Sequence, residues 1–167
     1  MKIRPASMGD VANVLALYRA VAAMPNNGLA RTPDEIDLDY VVSFMRHALD
    51  TGLMLLAVDN AGELLGFIDA TRIGPRQFAH VLSNLTVAIH PSAQGQGVGR
   101  ALFAGLFDAA LGLTPKVTRF ELMVREGNAG AIRLYERLGF RIEGRYEGRV
   151  RLPDGTIEAD IAMGRLL

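Results

Sequence analysis

Cysteine is absent from this chain of 167 residues. That excludes disulfides, thiolate zinc sites and a cysteine nucleophile, and it leaves the redox compartment open. An excess of one charge is absent as well, since 18 Lys and Arg balance 18 Asp and Glu. No global field points to nucleic acid, so any anion site must be local. Long apolar runs are missing. The longest, Leu53–Val58, is far short of the ~20 residues that cross a bilayer. Lys2 and Arg4 precede VANVLALYRAVAAM, but Asn13, Tyr18 and Arg19 interrupt that stretch; it reads as an amphipathic helix, not a signal peptide. Repeats, low-complexity segments and linkers are lacking too. Residues 1–167 therefore read as one domain, long enough to bury a core. With 50% hydrophobic and 22% charged residues, the composition is that of an ordinary globular protein. The expectation is a soluble cytoplasmic protein with neither nucleic acid nor membrane as partner.

The chain alternates between the two periodicities. Ile3–Pro5 reads as a strand. Ser7-Met8-Gly9-Asp10 has the spacing of a helix start, and Val11, Val14, Leu15, Tyr18 and Val21 then recur on one helical face. Pro25-Asn26-Asn27-Gly28 ends that helix. Thr32-Pro33-Asp34-Glu35 predicts a second one, with proline at its first position, running to about Leu49. Residues 53–59 and 63–73 read as a hairpin. A strand at 80–89 stops before Pro91, a helix covers 97–111, a strand covers 119–124, and a helix covers 129–138 with Gly139 as its terminator. The tail forms a final antiparallel pair around Pro153-Asp154-Gly155. The order β-α-α-β-β-β-α-β-α-β-β makes an α/β domain, with strand–helix–strand units in its second half.

The stretch with the most to say is NLTVAIHPSAQGQGVGRALFAGLFDAA, residues 84–110. Gly95, Gly97 and Gly99 stand directly before a helix. Free N–H groups at a helix start carry the positive end of the peptide dipoles, and glycine lets an anion approach them closely. Arg100 in the first turn adds a charge. The ligand is not a dinucleotide, because the third glycine of G-x-G-x-x-G falls on Arg100 or Leu102. It is not a nucleoside triphosphate, because no G-K-[ST] follows.

What fits is Gln94-x-x-Gly97-x-Gly99 after Ile89-His90-Pro91, joined downstream by Asn128, Ala131, Tyr135 and Gly139-Phe140. In residue type, order and spacing these resemble the GNAT superfamily of acetyl-CoA-dependent N-acetyltransferases. The resemblance covers nearly the whole chain and is clearest from 63 to 147. It implies a mixed, mostly antiparallel sheet of six or seven strands with a splayed parallel pair, about four helices on both faces, acetyl-CoA as co-substrate, no metal, a small-molecule amine as acceptor, and a homodimer. It implies that Gln94, Gly95, Gln96, Gly97, Val98, Gly99 and Arg100 hold the pyrophosphate, and that Val87, Ala88 and Ile89 hold the pantetheine arm. Asn128 reads as a helix cap, and the resemblance adds a contact to the same arm. Tyr135 lies two turns on, on the same face. It is either packed core or the acid that protonates the leaving thiolate.

The base is less legible. At the two strand positions where relatives often carry Glu, this chain has Asn84 and Met123. Asn84 can order a water that relays the proton. Glu121, on the same strand face as Met123, ranks second and His90 third; His80 is similar to His90. Asp69 can bind an ammonium or face solvent. The acceptor site maps to Met24–Thr32, the second helix and about Arg145–Gly155. Arg141, Arg145, Arg149 and Arg151 share strand parity. They bind a substrate carboxylate or, in the plainer reading, form a solvated edge. Three readings stay open: an acetyltransferase for a small amine such as an amino acid, a protein N-terminal or lysine acetyltransferase, and a non-catalytic acyl-CoA-binding module.

Overall fold

A computed structural model describes residues 1–25 and 27–167. Among them, seven strands form one sheet and four α-helices pack on it: β1 (Lys2–Pro5), α1 (Val11–Ala22), α2 (Leu38–Thr51), β2 (Gly52–Val58), β3 (Leu64–Arg72), β4 (Val81–Ile89), α3 (Val98–Ala110), β5 (Arg119–Arg125), α4 (Ala129–Arg137), β6 (Arg141–Arg151) and β7 (Ile157–Leu166). The sheet order is β1-β2-β3-β4-β5-β7-β6, so the last strand inserts between β5 and β6.

Alternation along β2 divides the core in two. Met54 and Leu56 face α1 and α2 with Phe67 and Ala88. Leu55 and Ala57 face α3 and α4, where Leu102, Phe103, Leu106 and Tyr135 pack over Ile68, Leu82 and Phe120. A strand covered on both faces has no polar side to show, which is why 53–58 reads as a continuous apolar run.

Ser7 does start a helix through a capping box with Asp10, first as one 3₁₀ turn and then as α1. The start expected at Thr32 is corrected. Thr32 and Glu35 do form a capping box, but around a single 3₁₀ turn. Ile36 is fully buried and leaves helical geometry, and Asp37 then caps α2 by accepting from the Tyr40 N–H at 2.7 Å. Burying Ile36 outweighs the local start signal.

The feature that creates a site is the parallel pair. β4 and β5 pair only at Val81 with Arg119 and at Leu82 with Phe120. Beyond that the strands part. The parting coincides with a bulge: Asp69 pairs with Thr86 and Thr71 with Ser83, so β4 takes one more residue than β3 across this stretch. Asn84 sits in the bulge with φ +50°, the one non-glycine residue at positive φ among those described. Asparagine tolerates that region better than most residues. A bulge bends its strand and increases the local twist, which carries the rest of β4 away from β5.

Candidate active site

The gap between the strands opens into a cleft of about 1420 Å³. A typical single-ligand pocket is ~300–1,000 Å³, so there is room for two reactants. The cleft is lined by the glycine segment and α4 on one side. On the other side are the loop after α1 and the outward face of β5, β7 and β6.

The three glycines divide their work. Gly95 and Gly97 have φ of +74° and +81°, and a Cβ on either would meet nothing within 4 Å. Their backbone lies bare toward the cleft. A Cβ on Gly99 would instead stand 3.1 Å from Ile89 Cδ1 and 3.5 Å from Leu134 Cδ2. Gly99 is therefore a packing glycine that lets α3 approach β4 and α4. Gly97 is the N-cap of α3, and the first helical bond runs from the Ala101 N–H to the Gly97 carbonyl at 3.1 Å. The amides of residues 95–100 precede that bond and are the orphan donors of a helix start.

Gln94, Gly95, Gly97, Val98, Gly99 and Arg100 all line the cleft with Val87 and Ile89. Two expected residues send their side chains elsewhere. Gln96 turns back to donate to the Ser92 carbonyl at 2.7 Å, and the Ala88 side chain is buried under α1 and α2. Neither lines the cleft.

Asn128 caps α4 by accepting from the Ala131 N–H at 3.2 Å. Its Nδ2 faces the loop after α1, where a Cβ on Gly28 would come within 2.5 Å. That loop is pinned at a second point, since Arg125 donates to the Asn27 carbonyl at 2.7 Å. Asn26, which belongs to the acceptor loop expected at 24–32, lies outside the described residues. Tyr135 is 6% exposed and packs edge-on against Phe103 at 5.6 Å between centroids. It also reaches the cleft. Burial pushes its phenol up to about 12, so it stays protonated across the neutral range. Core packing and access to the cleft coexist in this one side chain.

On the opposite wall, Glu121 and Met123 share the outward face of β5 and both line the cleft. Glu121 accepts from Arg119 Nε at 3.2 Å. Arg119 also grips Glu143 with both terminal nitrogens and holds that carboxyl below the usual range. Glu143 lies over Gly164, whose missing side chain leaves room for the carboxylate. The chain's spacing gave no sign of this three-residue bridge, because β7 brings β5 and β6 together only in the folded sheet. Asn84 is exposed at the cleft, with Nδ2 donating to Thr71 Oγ1 at 3.2 Å. His90 is not in this cleft. It bonds Ser92 Oγ at 2.8 Å and lines a separate small hollow beside α1. Asp69 does not face solvent, being 1% exposed.

The shared arginine face is also corrected. Ile142 pairs with Met163 and Gly144 with Ala162, so Glu143 is an extra residue and flips the alternation. Arg141 opposite Gly164 and Arg145 opposite Ile161 thus fall on opposite faces. Arg145 is bidentate to Glu126 at 2.8 and 3.0 Å, and Arg149 lies 3.4 Å from Asp160. Neither is in the cleft. Among the described residues no group of His, Asp and Glu is arranged to hold a metal ion, and no helix is long and apolar enough to cross a membrane.

Residues 16–140 match the acetyltransferase (GNAT) family. A mycothiol acetyltransferase of Salinispora tropica is 44% identical over 93 residues, which is 54% of this chain and 29% of that protein. The chain thus spans less than a third of that relative's length. An L-methionine sulfoximine/L-methionine sulfone acetyltransferase of Pseudomonas aeruginosa is 30% identical over 145 residues, or 85% of this chain and 81% of that one. Among solved structures, a GNAT-family acetyltransferase from Streptococcus pneumoniae superposes with a TM-score of 0.88 over 99% of both chains at 24% identity.

Proposed function

The chain belongs to the acetyltransferase (GNAT) family, and on that premise we propose that residues 1–167 act as one domain moving an acetyl group from acetyl-CoA to the primary amine of a small molecule. The observation that carries this is one cleft that unites the bare Gly95–Gly97 backbone, the open edge of β4 and the Tyr135 phenol. Acetyl-CoA supplies an acetyl group activated as a thioester. The donors and the cradle fit it: orphan amides and Arg100 suit a pyrophosphate, and an unpaired strand edge suits an amide-bearing arm.

In this reading the amides of 95–100 hold the pyrophosphate. The edge of Val87, Ala88 and Ile89 holds the arm and offers an N–H to the carbonyl oxygen as charge develops on it. Asn128 caps α4 and touches the same arm. Tyr135 gives its proton to the departing sulfur. Asn84 orders a water beside the amine, and Glu121 is the second candidate for that proton. The Pseudomonas relative, matched over most of its length, supports a small amine over a protein substrate. The reading is completed by a homodimer in the cytoplasm, carried over from the family.

The test is thiol release from acetyl-CoA against a panel of amino acids, methionine sulfone, polyamines, aminoglycosides and peptides. Turnover with a small amine is expected. Tyr135→Phe should cut kcat by about 100-fold with little change in acetyl-CoA affinity. Tight acetyl-CoA binding without turnover on any amine would replace the enzyme with a binding module.

A further inference from the structure

An ammonium must lose a proton before its nitrogen can attack a carbonyl. A water held by Asn84 can pass a proton on but is a poor place for it to stay. A relay needs an end, and β3 supplies a carboxyl that nothing else in the fold uses. Asp69 is buried to 1% exposure with Oδ1 lacking any partner. Buried side-chain oxygens are rarely left so, because desolvation without a hydrogen bond is costly.

Asp69 is flanked by β4, β2 and α1. Thr86 of β4 stands opposite it in register, and the Thr86 hydroxyl and amide both act on its carboxyl. Tyr18 of α1 faces it with the Tyr40 ring of α2 beyond, 6.2 Å between centroids, while Met54 pairs with it from β2. No arginine or lysine acts on it; the guanidinium of Arg31 lies farther out, over the Tyr40 ring. Thr86, Tyr18 and Asn84 all line the cleft. The orphan carboxyl is thus one hydroxyl away from the acceptor side and flanks the bulge that presents Asn84. Burial raises it well above the ordinary carboxylate range, which makes its ionised form a stronger proton acceptor than an exposed carboxylate.

We propose that Asp69 is the terminal proton acceptor for the acceptor amine, reached through the Thr86 hydroxyl. The assignment rests on the acetyltransferase reading. An N–H bond of the ammonium breaks as an O–H bond forms on the Asn84-held water. That water gives a proton to Thr86 Oγ1, and Thr86 gives its own hydroxyl proton to the Asp69 carboxylate. The freed nitrogen pair then forms the C–N bond, and the C–S electrons leave with sulfur, which takes the Tyr135 proton. The second proton on nitrogen returns to Tyr135, and Asp69 releases its proton to water. One proton is produced per acetyl group moved. Asp69 acts through Thr86 and is a positioning and relay residue, not one that touches substrate.

The experiment is the pH profile of kcat/KM for an accepted amine in wild type, Asp69→Asn, Thr86→Val and Thr86→Ser, with acetyl-CoA affinity measured alongside. Asp69→Asn should lose about 100-fold or more at pH 7 with acetyl-CoA affinity unchanged. Its rate should climb about tenfold per pH unit as hydroxide and free amine replace the relay. Thr86→Val should behave the same, and Thr86→Ser should be near wild type. A wild-type profile in Asp69→Asn overturns the relay and leaves the acetyltransferase reading intact. Equal loss of turnover and acetyl-CoA binding marks a folding defect, and Thr86→Val then decides. If Asp69→Asn does not fold, undiminished turnover in Thr86→Val overturns the relay by itself. Wild-type protein that acetylates no amine overturns the acetyltransferase reading, and the relay with it.

Discussion

Two corners of the molecule bury an aspartate, and they treat it in opposite ways. Where β1 meets α1, Asp10 is bidentate to Arg4 at 2.6 and 3.0 Å and accepts from the Ser7 N–H and hydroxyl at 2.8 and 2.9 Å. The Arg4 guanidinium brings its carboxyl down to about 2. Where β3 meets β4, Asp69 has no cation, one oxygen without a partner, and a carboxyl pushed up by burial. The first is a joint: both carboxylate oxygens have partners and nothing lines the large cleft. The second is an unfinished set of contacts beside a bulge and a cleft. Buried charge with its partners present holds a chain end in place; buried acid without them marks a place where a proton has work to do.

The contrast can be tested through stability. The largest effect is expected from Arg4→Met, which removes two charge-assisted bonds and should cost about 2 kcal/mol at neutral pH. The sign follows from linkage. Asp10 is held below its ordinary value of ~4, so its contribution is present above that pH and is lost as pH falls toward 2. Melting curves of wild type and Arg4→Met should therefore converge at the acid end. A smaller effect of opposite sign is expected from Asp69→Asn. Asp69 is raised, so the folded state binds its proton more tightly, and the stability this gives is lost as pH climbs above ~4. Asp69→Asn should flatten that limb and melt above wild type in mild alkali. Parallel pH slopes for the two variants would break the comparison. The smallest effect is expected from Glu143→Gln. Its carboxylate is 43% exposed, so losing the bridge to Arg119 should cost less than ~1 kcal/mol in urea unfolding. The change it does make should appear in the acceptor KM.

The glycine wall of the cleft was legible because its residues are contiguous. A strand, glycines at 95 and 97 and a helix start are contiguous, so spacing alone states that backbone amides converge there. Asn128 and Tyr135 sit two turns apart on one helix and needed only its periodicity. The opposite wall was not legible, because it is assembled across strands. One extra residue at Glu143 was enough to send Arg141 and Arg145 to opposite faces, and nothing in Arg-Ile-Glu-Gly-Arg announces a bulge. The polar break Ser83-Asn84 inside an apolar strand was a usable signal for the bulge in β4, since asparagine is a frequent occupant of positive φ.

The chain by itself determined the family, the order of elements, the glycine turn before α3 and the placing of Asn128 and Tyr135 on one helix, since each rests on residues within one or two turns of one another. Tertiary structure alone decided that Gly99 packs while Gly95 and Gly97 stay bare, that β4 splays from β5, that Arg119 is shared between Glu121 and Glu143, and that Asp69 lies buried without a cation. The physical reason is that burial and pairing belong to the neighbours a residue acquires across the sheet, and register can exchange those neighbours for a single inserted residue.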